Sequence, residues 1–256
     1  MKNTGEDKPL SNLKKATVIL QILGKSPYSF TAAEISALSG INRTTVYRIL
    51  TILSGDNFVI QDPITRKFTV GPMLYHVGSV YINSFRFRNE IYRMVEKVAD
   101  ETGESAGFAV REGNNIISLY EVENRQPFKM NHPAGSFYPM NRGCYGKCLM
   151  AYHDRDTVRS LLAEQRFEKL FPNTLTDPEE ILREYDRIRS KGFVVSDGES
   201  YGTAAAGVGV PICNPSGVVR ACMAVAFIKG PDFEEKKERF LPILKTCAEE
   251  LSRFIP

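Results

Sequence analysis

A chain of 256 residues has room for two domains with separate cores, and 43% hydrophobic with 25% charged residues is the composition of a folded globular protein. No apolar run approaches the roughly 18 residues that cross a bilayer, and the opening MKNTGEDKPLSN lacks the apolar stretch of a secretory signal, so no membrane partner and a cytoplasmic location are expected. The net charge of +3 is uneven: residues 1–83 carry nine Lys or Arg against five Asp or Glu, a net +4, leaving −1 for the rest, as suits an N-terminal segment that meets phosphates.

Ser11 caps a helix whose apolar positions Leu13, Ala16, Ile19, Leu20 and Leu23 recur at helical spacing up to Gly24. After Pro27, the run T-A-A-E from Thr31 to Glu34 forms a capping box and opens a short helix through Leu38. Ser39-Gly40 breaks that helix, and Asn42 caps a third, RTTVYRILTILSG. Two short helices joined by a tight glycine-containing turn are the helix-turn-helix pattern. On the third helix Val46, Ile49, Leu50 and Leu53 form an inward face, whereas Arg43, Thr44, Thr45, Tyr47 and Arg48 crowd the N-terminal end. That end of a recognition helix enters the major groove of double-stranded DNA, where Arg reads guanine, Thr meets a thymine methyl or a phosphate, and Asn42 reaches a base or the backbone. FVIQD and RKFTVG then alternate as a β-hairpin, a wing with Arg66 and Lys67 near its tip for phosphate or minor-groove contact. A bare three-helix scaffold that binds protein is the competing reading; the polar helix face and the basic hairpin favour DNA.

Pro72 opens MLYHVGSVYIN, a linker helix that can also pair with its twin in a dimer, and a further helix is expected from Phe87 to Glu101. Beyond it the pattern is α+β. ESAGFAV and NIISLYEV flank a Gly113-Asn114 turn, KMNH is a short strand, and CYGKCLMAY is a helix-like apolar run. DPEEILREYDRIRSKG is a strong helix, GVGVPICN and GVVRACMAVAF form a late hairpin, and a final helix closes the domain. A sheet between such helices is a common frame for a small-molecule pocket.

The five cysteines, Cys144, Cys148, Cys213, Cys222 and Cys247, lack paired CxxC spacing and read as buried free thiols. His76, His132 and His153 share no metal-ligand spacing, and Gly202 to Gly207 is not a phosphate loop, so no metal, cofactor or catalytic site is expected.

The stretches INRTTVYRILTIL, RKFTVGPMLYHVG, GCYGKCLMA, LTDPEEILREYDRIRSKGFVVSDGE and GVGVPICNPSGVV, in this order across nearly the whole chain, resemble the IclR family of regulators. The resemblance implies a winged helix-turn-helix over 1–71, a linker helix over 72–84, and over 85–256 a GAF-like effector-binding and oligomerisation domain with an antiparallel sheet flanked by helices. It implies a dimer or tetramer that represses or activates a nearby operon in answer to a small organic acid or aromatic effector. Its effector pocket maps onto Met130, Tyr138, Cys144, Tyr145, Gly146, Asp197, Gly207, Ala224 and Ala226. Where relatives carry an Arg-Cys pair this chain has Ala206-Gly207, and Ala224 and Ala226 replace hydroxyl side chains, so a larger and less polar ligand than glyoxylate or pyruvate is expected. The same positions also read as ordinary core, and Cys144 with Cys148 as a thiol sensor. Two other classes stay open: an enzyme with Cys144 as nucleophile, which needs a base within reach of the sulfur, and a scaffold working through protein contacts alone, which needs no pocket.

Overall fold

The computed structural model describes residues 11–123, 133–200 and 202–255, and the chain divides into two compact units, one through Phe85 and one from Arg86 onward. The first unit runs α1 (Asn12–Leu23), α2 (Ala32–Ser39), α3 (Arg43–Gly55), β1 (Val59–Gln61), β2 (Phe68–Val70) and α4 (Pro72–Asn83). Local chemistry sets the boundaries. The Ser11 hydroxyl accepts from the Lys14 N–H at 3.2 Å, Thr31 and Glu34 complete the reciprocal capping box, and the Asn42 side-chain oxygen accepts from the Thr44 N–H at 2.9 Å. Gly40, at φ 68°, ends α2 in the left-handed conformation that glycine adopts at least cost, and so turns the chain into α3. Ile19, Leu23, Ile35, Val46 and Leu50 bury together with Val59 and Phe68, so the three helices and the hairpin share one core. The antiparallel β1–β2 ribbon is extended by a bridge between Phe30 and Phe68. At Gly71 the backbone passes so close to the end of α3 that a Cβ would lie 2.2 Å from the Asn57 carbonyl oxygen, and that oxygen accepts from the Met73 N–H at 3.1 Å in the first turn of α4.

The second unit contains α5 (Arg88–Thr102), β3 (Ser105–Glu112), β4 (Asn115–Val122), β5 (Phe137–Tyr138), α6 (Cys144–Ala151), α7 (Arg155–Glu164), α8 (Pro178–Lys191), β6 (Val194–Asp197), β7 (Ala205–Cys213), β8 (Val219–Ile228) and α9 (Phe233–Ser252). α5 begins and ends one residue later than its sequence pattern suggests, and the expected KMNH strand lies outside the described residues. The six strands form one sheet in the order β5-β4-β3-β8-β7-β6, each neighbouring pair antiparallel. Alternation along β8 sends Phe227 onto one face, where its ring meets Phe240 of α9 at 5.5 Å. Cys222 and Ala224 go to the other face, under Cys148 and Leu149 of α6 and Tyr185 of α8. The fold class is therefore α+β, with a sheet sandwiched between α5 and α9 on one side and α6 and α8 on the other. Among the described residues no helix is long and apolar enough to cross a membrane.

Candidate functional site

In the first unit, Asn42, Arg43, Thr44, Tyr47 and Arg48 are exposed on one end of α3 and Thr45 is half-buried, while Val46, Ile49 and Leu50 hold the opposite face in the core. The oxygen of Asn42 is committed to the helix cap, so its amide nitrogen is what remains to meet a base or a phosphate. The Tyr47 ring packs edge-on against Phe68 at 6.4 Å, which fixes its direction relative to the hairpin. The turn between β1 and β2 is built by Asp62, whose carboxylate accepts from the Ile64 and Thr65 N–H groups. Arg66 stands exposed beyond that turn at φ 59°, and Lys67 is half-buried; the bonds that Glu34 accepts from Thr31 lower its carboxyl pKa, with the Lys67 charge adding to them. A short helix end bearing two arginines, beside an exposed basic hairpin, has the shape and charge to meet a duplex.

In the second unit a cavity of about 220 Å³ opens between the sheet and the entrance to α6. At roughly 30 Å³ for each water, that is space for about seven waters, or for one small organic molecule. Its floor is made of small residues on one face of the sheet: Gly107, Gly207, Ala224 and Ala226. Registers explain the set, because Gly107 pairs with Ala224 and Gly207 with Ala226 across β8. Tyr138, Arg142, Cys144 and Tyr145 close the cavity from β5 and α6, and Ser105, Ser196, Ser200 and Glu121 bring polar atoms to its wall. The N-terminal end of α6 borders the cavity, and its N-cap residue Gly143 brings no side chain to cap the first turn.

Of the nine positions mapped from the family, Tyr138, Cys144, Tyr145, Gly207, Ala224 and Ala226 line this cavity, and Met130 lies outside the described residues. Two differ. Asp197 sits one residue beyond Ser196 on β6, and because successive side chains leave a strand on opposite faces, Ser196 takes the cavity side. The Asp197 carboxylate pairs instead with the Lys229 ammonium at 2.8 Å. Gly146 is a close-approach residue: a Cβ there would lie 1.8 Å from the Pro139 carbonyl oxygen, so its absence lets α6 lie against the end of β5. Glu121, Arg142, Ser196 and Ser200 had no place in the sequence reading, and they make the cavity more polar than that reading expects.

Electrostatics divide the cavity. The Glu121 carboxyl accepts from the Tyr145 hydroxyl at 3.1 Å and the Tyr138 hydroxyl at 3.4 Å. Burial outweighs these bonds and pushes its pKa up to about 8, so it is mostly protonated at neutral pH. Burial likewise pushes the Cys144 thiol up to about 12, with Lys147 acting in the opposite sense. A thiol held in its protonated form is a poor nucleophile and a poor oxidation sensor. Behind the cavity, Lys147 is 1% exposed, and its ammonium donates to Glu199 at 2.5 Å, to the Val195 carbonyl at 2.7 Å and to Glu184 at 3.3 Å. Glu199 in turn accepts from the Gly143 N–H at 3.0 Å, immediately before α6, so this buried ion pair anchors the helix end that faces the cavity. No group of three or more His, Cys, Asp or Glu among the described residues could hold a metal ion.

A DNA-reading winged helix-turn-helix joined to a domain with an internal cavity defines a ligand-responsive transcriptional regulator. The IclR helix-turn-helix domain matches residues 12–63, and the bacterial transcriptional regulator IclR C-terminal domain matches residues 79–253. The chain belongs to the IclR family. It is 23% identical over 243 residues to the HTH-type transcriptional regulator KdgR of Dickeya chrysanthemi, spanning 95% of this chain and 79% of that protein. The crystal structure of an IclR transcriptional regulator from Alicyclobacillus acidocaldarius superposes with a TM-score of 0.80 at 27% identity, covering 96% of this chain and 98% of that one. An IclR homologue from Microbacterium hydrocarbonoxydans, solved in complex with 4-hydroxybenzoate, gives a TM-score of 0.75 at 21% identity over 94% and 98% of the two chains.

Proposed function

We propose that this regulator binds a small organic acid in the cavity beneath α6, and that occupancy changes its affinity for an operator read by α3 and the wing. The observation that carries the reading is Arg142: it lines the cavity, and no carboxylate among the described residues pairs with it. An arginine beside the first turn of a helix, on one wall of the cavity, forms a site for a carboxylate. The 4-hydroxybenzoate complex of the Microbacterium homologue supports an acid as the ligand class. On the DNA side, Arg43, Thr44, Thr45, Tyr47 and Arg48 read base edges with Asn42, while Arg66 and Lys67 hold phosphates. The reading takes residues 1–71 as the DNA-binding domain, 72–84 as the linker helix and 85–256 as the effector and oligomerisation domain. The molecule acts in the cytoplasm as a dimer or tetramer whose paired N-terminal domains meet two half-sites. A ligand shifts the operator equilibrium by its difference in affinity for the competent and incompetent arrangements, and by no more.

Fluorescence anisotropy on DNA from the chain's own upstream region, against scrambled DNA at two salt concentrations and with a panel of carboxylic acids, tests this. Sequence-selective binding that one acid strengthens or weakens is the expected result. Equal, weak and salt-labile binding to both DNAs, with no acid altering it, overturns the reading.

A further inference from the structure

We propose that the ligand of this cavity is zwitterionic, a small amino acid or amino-acid derivative whose ammonium group meets Glu121 and whose carboxylate meets Arg142. The proposal rests on the reading of the cavity as the effector site and narrows its ligand class. Glu121 reaches the cavity from β4, and among the described residues the groups that face it carry no positive charge: Ser118 on its own strand, Tyr138 from β5, Tyr145 from α6 and Cys222 from β8. Opposite it on β3 stands Gly107, where a Cβ would lie 1.9 Å from the Glu121 carboxylate, so the carboxyl occupies the space that glycine leaves. The Tyr138 and Tyr145 rings meet edge-to-face at 4.9 Å beside it, and aromatic rings bearing hydroxyls next to a carboxylate are surroundings that an ammonium group favours.

The fully buried carboxylates of the unit are paired: Glu199 shares Lys147 with half-buried Glu184, and Glu104 holds Lys236. Half-buried Asp197 likewise holds Lys229. Glu121 and Arg142 line one cavity and form no ion pair with each other, and Glu123 at the rim has an interaction of its own. A buried carboxyl without a cation keeps its proton, as burial here makes it do. A plain acid would satisfy Arg142 and leave Glu121 neutral. A ligand carrying both charges satisfies both, and its ammonium takes the place of the proton on Glu121.

Isothermal titration of the full chain at pH 7, in two buffers of different ionisation enthalpy, tests this with alanine, serine, leucine and phenylalanine against propionate, 3-hydroxypropionate, 4-methylvalerate and 3-phenylpropionate. The expected result is that one amino acid binds about tenfold or more tightly than its deaminated counterpart, the effect of one charge-assisted hydrogen bond. Its binding releases about one proton, visible as a buffer-dependent enthalpy. Glu121→Gln should abolish both the preference and the proton release. The proton release is read on the unaltered protein, so the test stands even if that variant folds poorly. Acids that bind as well as amino acids, without proton release, overturn the zwitterion while leaving the effector reading intact. If neither series binds, both readings fall.

Discussion

Replacing Lys147 by Met tests the anchor behind the cavity most directly. The ammonium is 1% exposed and donates to Glu199, Glu184 and the Val195 carbonyl, and Met fills nearly the same volume without the charge. Two effects oppose each other. Methionine adds apolar burial worth at most about 2 kcal/mol. Glu199 meanwhile keeps its buried carboxylate with the Gly143 N–H and the Ser196 hydroxyl as its remaining partners. Measured one-sided losses from buried ion pairs run to about 3–5 kcal/mol with such compensation already included, so the unpaired charge wins. For a unit of this size each kcal/mol moves the melting temperature by about 2–4 °C, which gives a drop of roughly 6–20 °C. Thermal and urea unfolding of the full chain would read it. The double variant Lys147→Met with Glu199→Gln should recover most of the loss, because it removes the stranded carboxylate as well. A single-variant loss below about 1 kcal/mol, or a double variant no more stable than the single, would refute the assignment of this pair as the anchor of α6.

Glu121 makes stability fall with pH. Its folded pKa is raised to about 8 from 4.5, so the native state holds a proton that the unfolded chain releases; that stability is complete below about 4.5 and is lost as pH rises to about 8. The decline is at most about 5 kcal/mol, and unfolding curves of Glu121→Gln between pH 5 and 9 should lack it. Arg43→Ala should cost specific operator binding about 1–3 kcal/mol while sparing random DNA, and Arg66→Ala should weaken both and lower the salt slope by about 1, as anisotropy titrations would show. Thr31→Ala removes one half of the capping box that opens α2. It should lower the stability of the first unit by about 1 kcal/mol in urea unfolding.

The first unit was legible because its signals are local. Ser11, Thr31 with Glu34, Gly40 and Asn42 act within four residues of themselves, and each does so where the pattern placed it. The cavity was legible only in part, since its floor combines three strands whose registers no local pattern contains. The resemblance brought in Tyr138, Cys144, Tyr145, Gly207, Ala224 and Ala226, which share the cavity. It placed Asp197 there as well, one residue away from Ser196, and on a strand one residue is the difference between the two faces. Glu121 escaped because a glutamate near the end of NIISLYEV reads as the solvent side of an alternating strand. Only the packing of β5 and α6 over that face buries it. A signal was nonetheless present: Gly107 pairs with Glu121 across the hairpin, and a glycine opposite a charged residue marks room for it. The bulge between Phe108 and Ala109 shifts that register, so counting back from the turn at Gly113 does not find the pair.

The close passage at Gly71 has a mechanical consequence. With the Asn57 oxygen bonded to the Met73 N–H and no space for a side chain at Gly71, the first turn of α4 is clamped to the end of the recognition helix. A helix of 12 residues is about 18 Å long, so tilting it by ten degrees carries its free end through about 3 Å. α4 is thus a tiller fixed to the DNA-reading body: a push at Asn83 steers α3 instead of being absorbed at a hinge. Any larger residue at position 71 would break that clamp and leave α4 free to move independently of α3.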